Sequence, residues 1–121
     1  MSAASPNPVP REIFSPEIFE ELREIRGTAQ MRLALEEFST CLPASFADMT
    51  ANDIDRDRVF RSAHFLVARA GLMGFGALRD TCVELQHACA TGAPFGNELA
   101  RTRDAAMVTR DAITSLLQRS L

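Results

Sequence analysis

Apolar residues recur along this chain at spacings of three and four, the period of helices that bury one face. The first run follows Ser15-Pro16. That pair suits a helix start, because the serine side chain caps free N–H groups and proline fits the first helical position. Ile18, Leu22 and Ile25 then share a face, and Gly27 stops this short helix. A second helix from about Thr28 carries Met31, Leu35, Phe38, Leu42 and Phe46 on one side, with Pro43 expected to bend it or break it at Leu42. Asn52 or Asp53 is placed to cap a third helix, whose apolar seam is Val59, Ala63, Leu66, Ala70 and Met73. Gly71, Gly74 and Gly76 loosen its far end. A fourth helix, over about 75–90, aligns Leu78, Cys82, Leu85 and Cys89. After a turn at Thr91-Gly92-Ala93-Pro94, a last helix over about 96–119 points Leu99, Ala106, Ile113 and Leu116 inward.

No run of alternating β-branched residues competes with this pattern. The expected fold is all-α: an antiparallel four-helix bundle with a short additional N-terminal helix, formed by residues 14–121. Residues 1–13, with three prolines among small polar residues, read as a flexible N-terminal arm.

The length of 121 residues suits a single core. All thirteen basic side chains are arginine, spread from Arg11 to Arg119 with acids between them, and the net charge is −3. Without lysine there is neither a Schiff-base amine nor a Walker-type phosphate lysine. Without a dense basic stripe, nucleic acid is not an expected partner. The N-terminus lacks the charged and apolar regions of a secretory signal. The uncharged stretch 70–78, bounded by Arg69 and Arg79, is far short of a bilayer span, so no membrane association is expected and the predicted location is cytoplasmic. Cys41, Cys82 and Cys89 include no C-x-x-C pair and read as small core hydrophobes in a reducing compartment.

One residue is not explained by packing. The seam of the third helix already uses Ala63 and Leu66, so His64 points to the margin or outward. Its helical neighbours are Phe60, Arg61, Val67, Ala68 and Gly71. An ordinary solvated face carries more charge than this. Such small and apolar surroundings suit close approach by another surface, although a lone helical histidine is more often incidental.

The run from Ser62 to Gly74, containing Ala63-His64, Leu66 and Leu72-Met73-Gly74, resembles the signature of histidine-containing phosphotransfer (HPt) domains of bacterial multistep phosphorelays. The similarity continues through Leu78, Cys82 and Leu85. It also covers Ser15-Pro16-Glu17 before Leu22, then Phe38 and Pro43, so that it spans about residues 14–118.

This resemblance implies a phosphocarrier without an ATP site, not a stand-alone enzyme. It implies that His64 takes a phosphoryl group from the aspartate of one receiver domain and gives it to another. An imidazole titrates near pH 6.5 and is mostly neutral at pH 7, so a ring nitrogen is free to attack. The implied partners are receiver domains of response regulators and of a hybrid histidine kinase. The carrier is a monomer with no cofactor of its own, and the receiver brings magnesium. Docking falls to Phe60, Val67, Ala68 and Gly71.

By the same resemblance Gln86 either hydrogen-bonds the imidazole or its phosphoryl group, or is an ordinary surface glutamine. The family's lysine, three residues after the histidine, is Val67 here. Arg69 lies roughly 140° round the helix from His64, whereas Arg61 and Arg79 are better placed to stabilise a phosphoryl group, unless they are simply solvated. The missing lysine motivates an alternative, a degenerate HPt-like adaptor that binds a receiver or kinase without transfer. A third reading, the dimerisation module of a sensor kinase, expects an acid where Phe65 stands.

The remaining features add no chemistry. His87 turns about 100° from Gln86, and no metal set is completed. Asp53-Asp55-Asp57 lacks the glycine and glutamate of a calcium loop. Met31, Met73 and Met107 fall on core-like faces.

Overall fold

A computed structural model of the chain describes residues 13–46 and 56–119, with side chains of 43–46 excepted. Five helices occupy these residues: α1 Pro16–Arg26, α2 Thr28–Phe46, α3 Arg56–Met73, α4 Gly76–Thr91 and α5 Gly96–Gln118. Residues 1–12 of the expected 1–13 arm, the capping candidates Asn52 and Asp53, Asp55, and the side chain of Phe46 lie outside the described structure, while Ile13, the arm's last residue, is half-buried against the core.

The four longer helices form the antiparallel bundle. α3 packs on α4, α4 on α5 and α5 on α2, while α2 closes back on α3. The short α1 lies against α2 and α3. Its start is built as the sequence suggests: the Ser15 hydroxyl accepts the Ile18 N–H at 3.4 Å, and Pro16 opens the helix.

The predicted seams of α2 to α5 are buried wherever their side chains are described. Phe14, Phe75 and Phe95 add to them from the connections. Phe75 is central, with its ring 5.3 Å from that of Phe14 and 5.7 Å from that of Phe38. Rings at this spacing gain an attraction beyond their buried area. Thr102 and Thr109 are buried in α5 without an energetic orphan, because their hydroxyls donate to the carbonyls of Glu98 and Ala105 at 2.8 and 2.7 Å.

Four details depart from expectation. α1 buries Phe19 and half-buries Leu22, leaving Ile25 80% exposed. A helix laid across two others buries a narrow strip, and that strip is one position round from Ile18. α2 continues past Pro43 to Phe46. Proline loses its own N–H bond but keeps a helical φ, so a final turn still forms. Met107 is 65% exposed because Ala106 takes the inward place beside it. Cys41 is exposed for the same reason, with Leu42 as its buried neighbour.

Two contacts fix how α1 and the α3–α4 turn meet. The Ser15 N–H donates to the Gly74 carbonyl at 2.8 Å, and Gly74 has φ of +90°. At the opposite end of the hairpin, the Arg56 guanidinium donates to the carbonyls of Ala93 and Ala88 at 2.7 and 3.2 Å. It also lies 4.9 Å from the centre of the Phe95 ring. One partly buried arginine thus ties the first residue of α3 to the end of α4 and the turn into α5.

Candidate functional site

α3 buries Val59, Ala63, Leu66, Ala70 and Met73, so its opposite face is open. His64 is exposed on that face. Side chains of a helix lean toward its N-terminus. The imidazole accordingly lies against Phe60, one turn earlier, with ring centroids 6.1 Å apart and planes only 6° from parallel. Phe60 is half-buried and rests on the core, which gives the imidazole a fixed apolar floor. Among the described residues no hydrogen bond engages either ring nitrogen of His64. A nucleophile that must reach into another protein needs this combination of support and access.

The register between α3 and α4 follows from the two ends of the hairpin. Near the turn, the Arg79 stem crosses Gly71 so closely that a Cβ on Gly71 would sit 3.3 Å from the Arg79 Cδ. At the far end Arg56 meets Ala93. Both helices rise about 1.5 Å per residue, so pairs between these points stay level. His64 is seven residues before Gly71, and Gln86 is seven residues after Arg79. Seven residues make almost two full turns, so the pair repeats the Gly71–Arg79 juxtaposition. The half-buried Gln86 therefore stands level with His64 on the neighbouring helix. Val67 is level with Val83 by the same reasoning. Val67 is half-buried and Val83 is 48% exposed, making an apolar pair one turn from the histidine.

The arginines are distributed unevenly about this site. Arg61 is exposed one turn before His64, about 60° round the helix, with no carboxylate partner among the described residues. Arg79 lies roughly 10 Å along the axis from the level of His64. Its guanidinium holds the Asp80 carboxylate at 2.9 and 3.1 Å. Arg69 is further away still in angle and sits 5.0 Å over the Phe65 ring. Gly71, half-exposed on the α4 side of His64, and Ala68, exposed on the side away from α4, continue the low shelf. His87 is exposed, and no group of three or more His, Cys, Asp or Glu among the described residues is arranged to hold a metal ion.

Three exposed apolar side chains of this hairpin have no assigned docking role in the sequence reading: Phe65, Leu72 and Val83. The first two were legible as apolar positions off the α3 seam. Val83 needed the register between two helices, which no single-helix pattern contains.

An exposed histidine braced on the first helix of such a hairpin matches the resemblance noted in the sequence, and a family model decides it: the model for the Hpt domain matches residues 12–120. The chain belongs to the Hpt domain family. No curated protein and no solved structure matches it. Hpt domains act in phosphorelay signalling, where they interact with receiver domains, and this Hpt domain is placed in that class of function. Among its described residues no helix is long and apolar enough to cross a membrane.

Proposed function

We infer that this Hpt domain carries a phosphoryl group between receiver-domain aspartates on His64. The observation that carries this reading is the exposed imidazole, braced on Phe60 on the open face of α3. With the ring proton on Nδ1, Nε2 attacks the phosphorus of a receiver's aspartyl phosphate. The N–P bond forms as the acyl O–P bond breaks, and the carboxylate leaves with the electron pair. Delivery to a second receiver reverses these changes with the new carboxylate as nucleophile. Magnesium belongs to the receiver, which also supplies most of the charge stabilisation.

The apolar shelf of Phe60, Val67, Ala68 and Gly71 supports docking, since few side chains there must be desolvated or moved aside. Gln86, level with His64 on α4 and not bonded to its ring in the free protein, is the donor to the phosphoryl group once His64 carries it. Of the arginines, Arg61 is near the site and has no carboxylate partner among the described residues, and Arg79 must leave Asp80 to contribute. The carrier works as a cytoplasmic monomer between the receiver of a hybrid kinase and that of a response regulator.

Incubation with a phosphorylated cognate receiver should label the protein with phosphate that is acid-labile and alkali-stable. His64→Gln should abolish the label, and equal labelling of both proteins would sink the assignment. The Val67–Val83 pair favours a second reading, an adaptor that binds without transfer, because an apolar pair stands where the family's lysine belongs. Under that reading neither protein is labelled and both bind the receiver with equal affinity.

A further inference from the structure

A groove of about 330 Å³ opens between α1, α2 and α3, away from the His64–Gln86 pair. Its walls are Leu22 of α1, Met31 and Ala34 of α2, and Leu72 and Met73 of α3. Leu72 is 56% exposed at its rim. Two methionines give the wall side chains that adapt to an unbranched guest. The volume lies at the small end of the range for ligand sites.

Two arginines complete the lining, Arg26 from the last turn of α1 and Arg69 from α3. Neither has a carboxylate partner among the described residues, although this acidic chain offers more acids than bases. The contrast within α1 is direct: Arg23 holds Glu20 at 2.6 Å, while Arg26 is left on the groove. Arg69 has only the Phe65 ring beneath it. Two arginines from separate helices, neither paired with a carboxylate among the described residues, thus line one apolar cleft. Guanidinium groups pair best with planar carboxylates.

We propose that this groove binds a medium-chain carboxylate, with its tail along Leu22, Met31 and Leu72 and its head between Arg26 and Arg69. The site is independent of phosphotransfer, since none of its residues adjoins His64 on the helix surface. An apolar guest covers Leu72, and its head group supplies a counter-charge that no carboxylate among the described residues provides.

The test is titration of the full chain with sodium decanoate below its micelle concentration, followed by calorimetry and by amide chemical shifts. The expected result is saturable 1:1 binding, with shifts centred on Leu22, Ala34 and Leu72. Arg26→Gln and Arg69→Gln should each weaken binding roughly tenfold, the loss of one charge-assisted hydrogen bond. Leu72→Glu, at an exposed position that tolerates polarity, should abolish it. Decyltrimethylammonium, with the same tail and the opposite charge, should not bind. Equal binding of the cationic amphiphile, unchanged affinity in both arginine variants, or shifts located elsewhere would each overturn the proposal.

Discussion

Gly74 is the position where a single added methyl group tests the architecture most sharply. It lies between α3 and α4 with φ of +90°, and its carbonyl accepts the Ser15 N–H at 2.8 Å. A Cβ there would stand 3.1 Å from the Ser15 carbonyl oxygen and 3.4 Å from the Ile18 Cβ. Holding an L-residue at such a φ costs about 1–2 kcal/mol. The Ser15 oxygen is backbone and cannot rotate aside, so the start of α1 must shift and weaken a hydrogen bond worth about 1 kcal/mol. Alanine also narrows the unfolded ensemble, which offsets about 0.4–1 kcal/mol of this. Gly74→Ala should therefore lose about 2 kcal/mol of unfolding free energy. The chain has no tryptophan or tyrosine, so urea unfolding is best followed by far-UV circular dichroism. Gly92→Ala is the control, because Gly92 has φ of +78° but nothing within 4 Å of its would-be Cβ. That variant should lose only about 1 kcal/mol, the backbone cost alone. If Gly74→Ala is no more destabilised than Gly92→Ala, the contact with Ser15 is not what holds α1 in place.

Other expectations follow from single side chains. Arg56→Met keeps the stem but deletes two bonds to carbonyls and the contact with Phe95, and should cost about 2 kcal/mol in the same urea assay. Burial pushes the Cys82 thiol up to about 12, against a weaker opposing pull from Thr81. The unfolded thiol ionises near its ordinary value of 9.0, so stability is fully present below that pH and declines as pH rises from about 9 toward 12. Comparing wild type with Cys82→Ala at pH 8 and pH 10 checks the sign, since the alanine variant should lose less stability over that step. A thiol reagent at neutral pH should modify exposed Cys41 first and leave Cys82 untouched until the protein unfolds. Val67→Lys, in a half-buried place level with Val83, should accelerate phosphotransfer to His64 several-fold if the native site lacks a cation, as measured by single-turnover labelling.

The helices and their seams were legible because a period of 3.6 residues is written directly into where Leu, Val, Ala and Cys fall in α3 and α4. His64 stood out by the same means, as a polar ring one position away from a filled seam. Residues that depend on a second helix were less visible. Gln86 and Val83 acquire their places only from the register set by Gly71 against Arg79 and by Arg56 against Ala93. Ile25 misled because an apolar residue on a three-residue wheel looks buried whether or not a neighbouring helix reaches it. Arg79 looked available on the wheel, but adjacent Asp80 holds its guanidinium, a contact set by rotamers and not by helical spacing.

The α3–α4 hairpin has a consequence for how this protein can change. Every group assigned to phosphoryl chemistry lies between Phe60 and Gln86, on one continuous stretch of chain. The remaining helices meet that stretch chiefly through its buried seams, with Arg56 and Gly74 as fasteners at either end. Partner choice is thereby separable from architecture. The outward positions of this cassette are free to drift or be exchanged as a block, while the inward positions keep the same scaffold standing beneath them.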